Sequence, residues 1–252
     1  MTINKQQYRY LLRLGDNALV LGQRLCEWIG HAPVLEEELA TANVALDLIG
    51  QATAWLELAA ARRGDGVDAD RLAFHRDVMD FQNVLLVEQP NGDYAHTIAR
   101  QFFFDAFHYP LLEQLACSQD EQVAGIAAKA VKEARYHLRR SGEWVIRLGD
   151  GTEESHQRMQ QAVDALWMYT GEMLAADELD QAMLAQGLGA DLAQAAKAWQ
   201  GYVDEVLAEA TLTRPSQKWM QQGGKQGRHS EHLGYLLAEM QFLPRAYPDA
   251  RW

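Results

Sequence analysis

Small and apolar residues recur at Leu11, Gly15, Ala18, Gly22, Leu25 and Ile29, a helical stripe that predicts a first helix over about Gln6 to Ile29 with another helix approaching it closely. Gly30-His31-Ala32-Pro33 ends it. From Pro33 to about Arg62, Leu35, Leu39, Ala42, Leu46, Ile49, Thr53, Leu56 and Ala60 follow alternating steps of four and three. Ala45, Leu48, Ala52, Trp55 and Ala59 make a second apolar side and leave Glu36, Asn43, Asp47 and Gln51 as a thin polar remainder. Such a helix is expected to lie centrally, with neighbours on both flanks. Ala69 to Val87 reads as a shorter helix closed by Glu88-Gln-Pro-Asn-Gly. Asp93 to Cys117 is the most aromatic run, with Ile98, Phe102, Asp105, Tyr109 and Leu112 on one face and Pro110 expected to kink it. Gln119 to Leu148, Glu153 to about Ala185 and Asp191 to Thr211 read as three further helices. After a loop from Thr213 to His229, Ser230 opens a short helix through Leu233, Leu236, Leu237 and Met240. No stretch shows β-alternation, so the expectation is an all-α helical bundle with additional helices. It forms one domain over 1–252, with a core bundle over about 5–185 and C-terminal helices and a loop over about 189–252.

Composition narrows the class. The 252 residues are 48% hydrophobic, enough for a substantial core. Their 23 basic against 35 acidic residues, net charge -12, supply no basic footprint for nucleic acid. The first residues lack an apolar signal core and no run of eighteen apolar residues occurs, so a cytoplasmic protein that neither spans nor binds a membrane is expected. Cys26 and Cys117 are far apart and outside any Cys-x-x-Cys spacing, which supports neither a disulfide framework nor a zinc cluster.

Candidate chemistry centres on Lys132 to His137. Ala127, Ala130, Ala134, His137, Ser141 and Trp144 share a helical face, so His137 points inward, either as a core histidine or as part of a site. A metal-carrying helix of a carboxylate-bridged di-iron bundle needs Glu-x-x-His. Here Glu133 lies four residues before His137, and the position three before it is Ala134. Asp105 is a second inward polar residue that needs a partner. A network is expected in which Asp105 and His137 approach and Lys129 and Glu133 extend it toward the surface. Acid-x-x-His spacing occurs at Asp93/His96, Asp105/His108 and Glu153/His156; the first and last pairs fall at helix starts, where acids serve the helix end, and His108 is not obviously inward. Gly223 to His232 lacks the Walker spacing, yet Lys225, Arg228, His229 and His232 make it a candidate basic loop for phosphate or partner contact, or a flexible connection. Tyr10, Arg13, Trp28 and Trp55 are candidate anchors for a partner surface, with core packing as the alternative.

The segments LRLGDNALVLGQRLCEWIGHAP, LDLIGQA, NVLLVEQPNG, KEARYHLR, MQQAVDALW and HSEHLGYLLAEMQ carry a resemblance over essentially the full length. The chain resembles the C-subunit family of the bacterial phenylacetyl-CoA epoxidase, the ring-1,2-phenylacetyl-CoA oxygenase. That resemblance implies a ferritin-like subunit without its own catalytic residues, metal or cofactor. Its expected partner is a homologous catalytic A-subunit, which holds the di-iron centre and takes electrons from a separate reductase. In an ungapped matching, the sister subunit's metal-ligand positions fall on Leu48 and Gln51, on Ala134 and His137, near Ala18 and on Asp105. Only Asp105 and His137 keep ligand chemistry there, so the site is expected to be vestigial. Two other classes remain open: a di-iron oxygenase or oxidase in its own right, using Asp47, Asp105, His108, Glu133 and His137, and a free-standing helical adaptor.

Overall fold

A computed structural model describes residues 3–248 and 250. These residues are all-α, with no strand among them, and they group into two compact units, 1–90 with 223–252 and 91–222. This grouping differs from the expected core of about 5–185 followed by appended helices: the last forty residues' helices belong with the first ninety residues, while the 192–209 helix belongs with the middle of the chain.

The first unit is built on α1 (Ile3–Cys26) and α2 (Leu35–Arg63), which pack along their length. The small-residue stripe of α1 permits this: a Cβ on Gly15 would press into the side chains of Leu56 and Trp55. Acids in the first turn of α2 and Arg62 and Arg63 in its last turn both suit the helix dipole, and Gly64 ends it in the left-handed conformation. α2 is long and apolar enough to cross a membrane by length and composition, although just over half of that apolar window is buried inside the protein. It is also less enclosed than its pattern predicts. The Ala45, Leu48, Ala52, Trp55 and Ala59 side is buried, whereas Leu35, Leu39 and Leu46 are 69, 57 and 65% exposed.

Residues 69–87 are not one helix. Only α3 (Ala69–Phe74) and a 3-10 turn over Val78–Asp80 form, and a buried irregular segment follows. Its backbone donors are satisfied by side chains of α1, which removes the need for helical pairing: Gln82 N–H donates to Asp16 Oδ2 at 2.8 Å and Val84 N–H to Asn17 Oδ1 at 2.8 Å. Asp16 is in turn held by the Arg76 guanidinium, which also donates to the Leu72 and Asp80 carbonyls and lies over the Phe81 ring at 4.1 Å. α10 (Glu231–Met240) and α11 (Phe242–Ala246) complete this unit.

The segment before α10 is packed instead of loose. A second 3-10 turn, Gly224–Gln226, ends at Gly227 with φ +79°, and a Cβ there would run into the Met79 carbonyl oxygen. Gly227→Ala therefore combines a strained backbone angle with a steric conflict against main chain. It is expected to cost about 2 kcal/mol and lower the thermal midpoint by about 4–8 °C in a calorimetric scan. An unchanged midpoint would contradict this packing.

The second unit is organised around α4 (Tyr94–Leu115) and α5 (Glu121–Gly149), with α6 (Glu153–Trp167) and α9 (Leu192–Glu209) packed on α4 and α5. Side-chain caps start these helices: Asp93 accepts from His96 N–H at 2.9 Å, Asp120 from Gln122 and Val123, and Thr152 and Ser155 form a capping box. Asp93 thus serves its helix end, as its position predicts. α4 continues through Pro110 to Leu115, and every residue from Thr97 to His108 is buried. The expected run over 153–185 is interrupted. Thr170 Oγ1 donates to the Trp167 carbonyl at 2.9 Å, α7 (Gly171–Leu174) is a single turn, and Asp177 caps a new start for α8 (Glu178–Ala185). Phe103, Trp167 and Trp199 pack with ring centroids 5.6–5.9 Å apart, and Trp199 Nε1 donates to the Phe103 carbonyl at 2.9 Å, which locks α9 to α4.

Candidate functional site

Asp105 stands near the middle of α4 with 1% exposure, and both carboxylate oxygens are engaged. Gln101, one turn earlier, donates Nε2 to Oδ1 at 2.7 Å; Ser141 on α5 donates Oγ to Oδ2 at 2.8 Å. The i, i+4 spacing on α4 brings the first contact, and the small-residue face of α5 brings the second. Burial pushes the Asp105 carboxyl up to about 6, against the pull of the His137 charge, the two hydrogen bonds and Arg140. His137 is one turn before Ser141 and 1% exposed, so α5 presents a histidine and a hydroxyl to this region together. The Ser141 hydroxyl also lies 3.3 Å from the Leu138 carbonyl, a second acceptor to which it can turn.

His108, expected not to face inward, is 5% exposed. The expectation presumed a solvent side for α4, and from Thr97 to His108 the helix has none. Its ring packs on Phe104 at 4.9 Å, its Nδ1 has no hydrogen-bond partner among the described residues, and burial followed by the nearby His137 charge lowers its pKa to about 3. His108 is therefore neutral in the folded protein at neutral pH. On α9, Tyr202 donates its hydroxyl to Leu138 O at 3.4 Å, and burial followed by the Asp105 charge pushes its pKa up.

The six positions matched to a sister's metal ligands are divided between the units. Ala18, Leu48 and Gln51 lie in the first, at 1, 0 and 4% exposure; Asp105, Ala134 and His137 lie in the second, at 1% each. Lys129 is exposed and Glu133 half-buried, two turns and one turn before His137 on α5. A di-iron centre requires about four carboxylates and two histidines. No three His, Cys, Asp or Glu side chains converge among the described residues, and the two oxygens of Asp105 are occupied by an amide and a hydroxyl. The donor set does not fit such a centre.

The expected docking anchors need correction. Tyr10, Arg13 and Trp55 are 5, 4 and 1% exposed, because long side chains at closely packed helices fill this chain's own interior, and Trp28 is half-buried. The basic loop is corrected in the same sense. Lys225 is 3% exposed, the His229 side chain is fully buried, His232 is half-buried, and only Arg228 of the four is exposed.

The reason is a polar knot around Glu88 that no local pattern announces. Glu88 is fully buried and accepts from Ser230 N–H at 2.6 Å, Asn83 Nδ2 at 3.0 Å and His229 Nδ1 at 2.9 Å. Its carbonyl takes two bonds from Arg24, whose guanidinium also reaches the His232 carbonyl at 3.1 Å. His229 Nε2 lies 2.9 Å from the Phe81 carbonyl.

The fold and site define an all-α helical chain that buries a carboxylate on α4 and a histidine on α5, with no three potential metal donors brought together among the described residues. The chain matches the family described as "Phenylacetic acid catabolic protein" over residues 2–252, and it belongs to that family. It is 54% identical over 243 residues to a protein of Escherichia coli (strain K12) named as the C-subunit of 1,2-phenylacetyl-CoA epoxidase, covering 96% of this chain and 98% of that one.

Proposed function

We propose that this chain is a non-catalytic subunit of a cytoplasmic phenylacetyl-CoA epoxidase in phenylacetate breakdown, supporting a homologous A-subunit that carries the di-iron centre. The observation that carries the reading is the full-length identity to an epoxidase C-subunit, taken with the donor-poor centre. In place of ligand carboxylates at the matched positions, the chain has Leu48 and Ala134, groups that fill space and hold no metal. Asp105, Gln101 and Ser141 then act as a buried hydrogen-bonded network that fixes α4 against α5. The free thiols Cys26 and Cys117 suit a reducing compartment.

The test separates support from catalysis. The purified chain is expected to hold no stoichiometric iron and to turn over no phenylacetyl-CoA, whereas its mixture with the A-subunit plus the reductase consumes oxygen and forms the epoxide. About two iron atoms on this chain alone, or turnover without the A-subunit, would overturn the reading in favour of a di-iron enzyme.

A further inference from the structure

Leu35, Leu39, Ala42, Leu46, Ile49 and Thr53 repeat along α2 at the spacing of a helix–helix seam, which is the pattern of a covered surface. The chain itself covers it only in part, with Ala42 and Ile49 half-buried. Leu35, Leu39 and Leu46 are 57–69% exposed, and Ile29 and Val34 in the turn before the helix, 60 and 51% exposed, extend the patch. At Gly50 on the same side an added Cβ would meet nothing, so the strip ends in a notch that admits close approach.

From Leu35 to Thr53 the strip runs about 27 Å at 1.5 Å per residue and is about 10 Å wide, a few hundred Å². That is roughly a third of one partner's share of a standard interface, a size that suits the apolar centre of a larger contact. Charge decides who occupies it. Glu36, Glu37, Glu38, Asp47 and Glu57 rim the helix, and no Lys or Arg occurs on it before Arg62. A second copy crossing antiparallel about Leu46 would set Glu36 against the other Glu57, and a parallel copy would set each acid beside itself. Both arrangements juxtapose like charges at a desolvated seam. An anionic lipid surface is repelled by the same rim.

We propose that the exposed face of α2, from Ile29 to Thr53, docks a helix of the catalytic A-subunit, one that presents an apolar stripe flanked by Lys or Arg. This inference rests on the subunit reading above and adds the surface and the chemistry of its counterpart. Leu39 and Leu46 insert into the partner helix, Gly50 admits a bulky side chain, and Glu36 and Glu57 pair with its cations at the rim.

The double variant Leu39→Glu/Leu46→Glu changes only exposed side chains, and circular dichroism and thermal melts are expected to match wild type. Its affinity for the purified A-subunit, measured by light scattering and titration calorimetry, is expected to fall about 100-fold or more. Glu36→Lys/Glu57→Lys is expected to weaken binding about tenfold and to reverse the sign of its salt dependence. Leu184→Glu, at an exposed leucine of α8 outside the proposed face, serves as the control and leaves binding unchanged. A wild-type chain that binds the A-subunit while Leu39→Glu/Leu46→Glu binds equally well overturns this surface and leaves the subunit reading intact. A wild-type chain that shows no binding to the A-subunit overturns the subunit reading and this occupant with it. Self-association, or attachment to phosphatidylglycerol vesicles, abolished by the leucine substitutions would assign the face to a second copy or to lipid and overturn the proposal.

Discussion

Glu88→Ala is expected to destabilise the protein by about 3–5 kcal/mol, because it removes one partner of a buried ion pair and strands three donors at once. The side chains of Glu88 and His229 are both fully buried, and Asn83 Nδ2 and Ser230 N–H lose the same acceptor. The geometry also fixes the charge of His229. Nδ1 faces the Glu88 carboxylate and Nε2 faces the Phe81 carbonyl, two acceptors that each require an N–H, so the ring is an imidazolium. The hydrogen bond and charge of Glu88, the Phe81 carbonyl and the charge of Asp16 raise its pKa, against the opposing effect of burial. Arg24 and Arg76 approach the same knot but are taken up by the Glu88 carbonyl, Glu27 and Asp16. A raised histidine pKa favours folding most below the unfolded value, about 6.5, and that contribution is lost as pH rises through the folded value. Urea unfolding is therefore expected to show this increment shrinking from pH 6 toward pH 9 in wild type and absent in Glu88→Ala. A cost under about 1 kcal/mol, or a wild-type His229 resonance titrating below the ordinary histidine range, would contradict the assignment.

Periodicity made most long helices legible, because α1, α2, α5 and α9 each bury a repeating face, and α4, α5 and α9 each start at a capping aspartate. Asp105 was legible for the same reason: a carboxylate on an apolar stripe must find partners, and Gln101 at i−4 was within reach of that argument. Where periodicity presumes a solvent side it fails, as at His108, since α4 is enclosed over three turns and its polar residues carry no inward or outward signal. The 81–89 segment was illegible for another reason. Its apolar run is compatible with a helix, and the bonds that hold it irregular come from Asp16 and Asn17, more than sixty residues away. Glu88 and His229, separated by 141 residues, pair through tertiary structure alone. The leucine face of α2 shows the converse: its pattern predicts neighbours on both flanks, while Leu35, Leu39 and Leu46 stay exposed.

Asp105→Asn is expected to stabilise the protein at pH 7.5 by about 1–2 kcal/mol and to lose that advantage near pH 4. The carboxyl's folded pKa is about 6, roughly two units above the unfolded value near 3.9, and burial is the main cause. A raised carboxyl pKa means that the folded state holds its proton longer, so stability is fullest below about pH 4 and declines as pH rises to about 6. Two units correspond to about 3 kcal/mol of ionisation cost carried above pH 6. The groups that moderate this cost are His137, Ser141 and Arg140 on α5 and Gln101 on α4, while Tyr202 on α9 sits near the same charge. Asparagine cannot ionise and matches the carboxylate in shape. Its Oδ1 keeps the bond from Gln101, and the Ser141 hydroxyl can turn to the Leu138 carbonyl and accept from Nδ2, so about 1 kcal/mol of imperfect geometry offsets part of the gain. Asp105→Ala gives the contrasting result, since it removes both acceptors, opens a cavity and strands the Gln101 amide at a cost of about 1–3 kcal/mol. Denaturant melts of both variants at pH 4 and pH 7.5 check the sign, and a penalty for Asp105→Asn equal at the two pH values would show that the carboxylate is not strained by burial. In the reconstituted epoxidase, Asp105→Asn is expected to keep turnover within about twofold of wild type, because a residue that holds α4 to α5 tolerates an isosteric amide that an iron ligand does not.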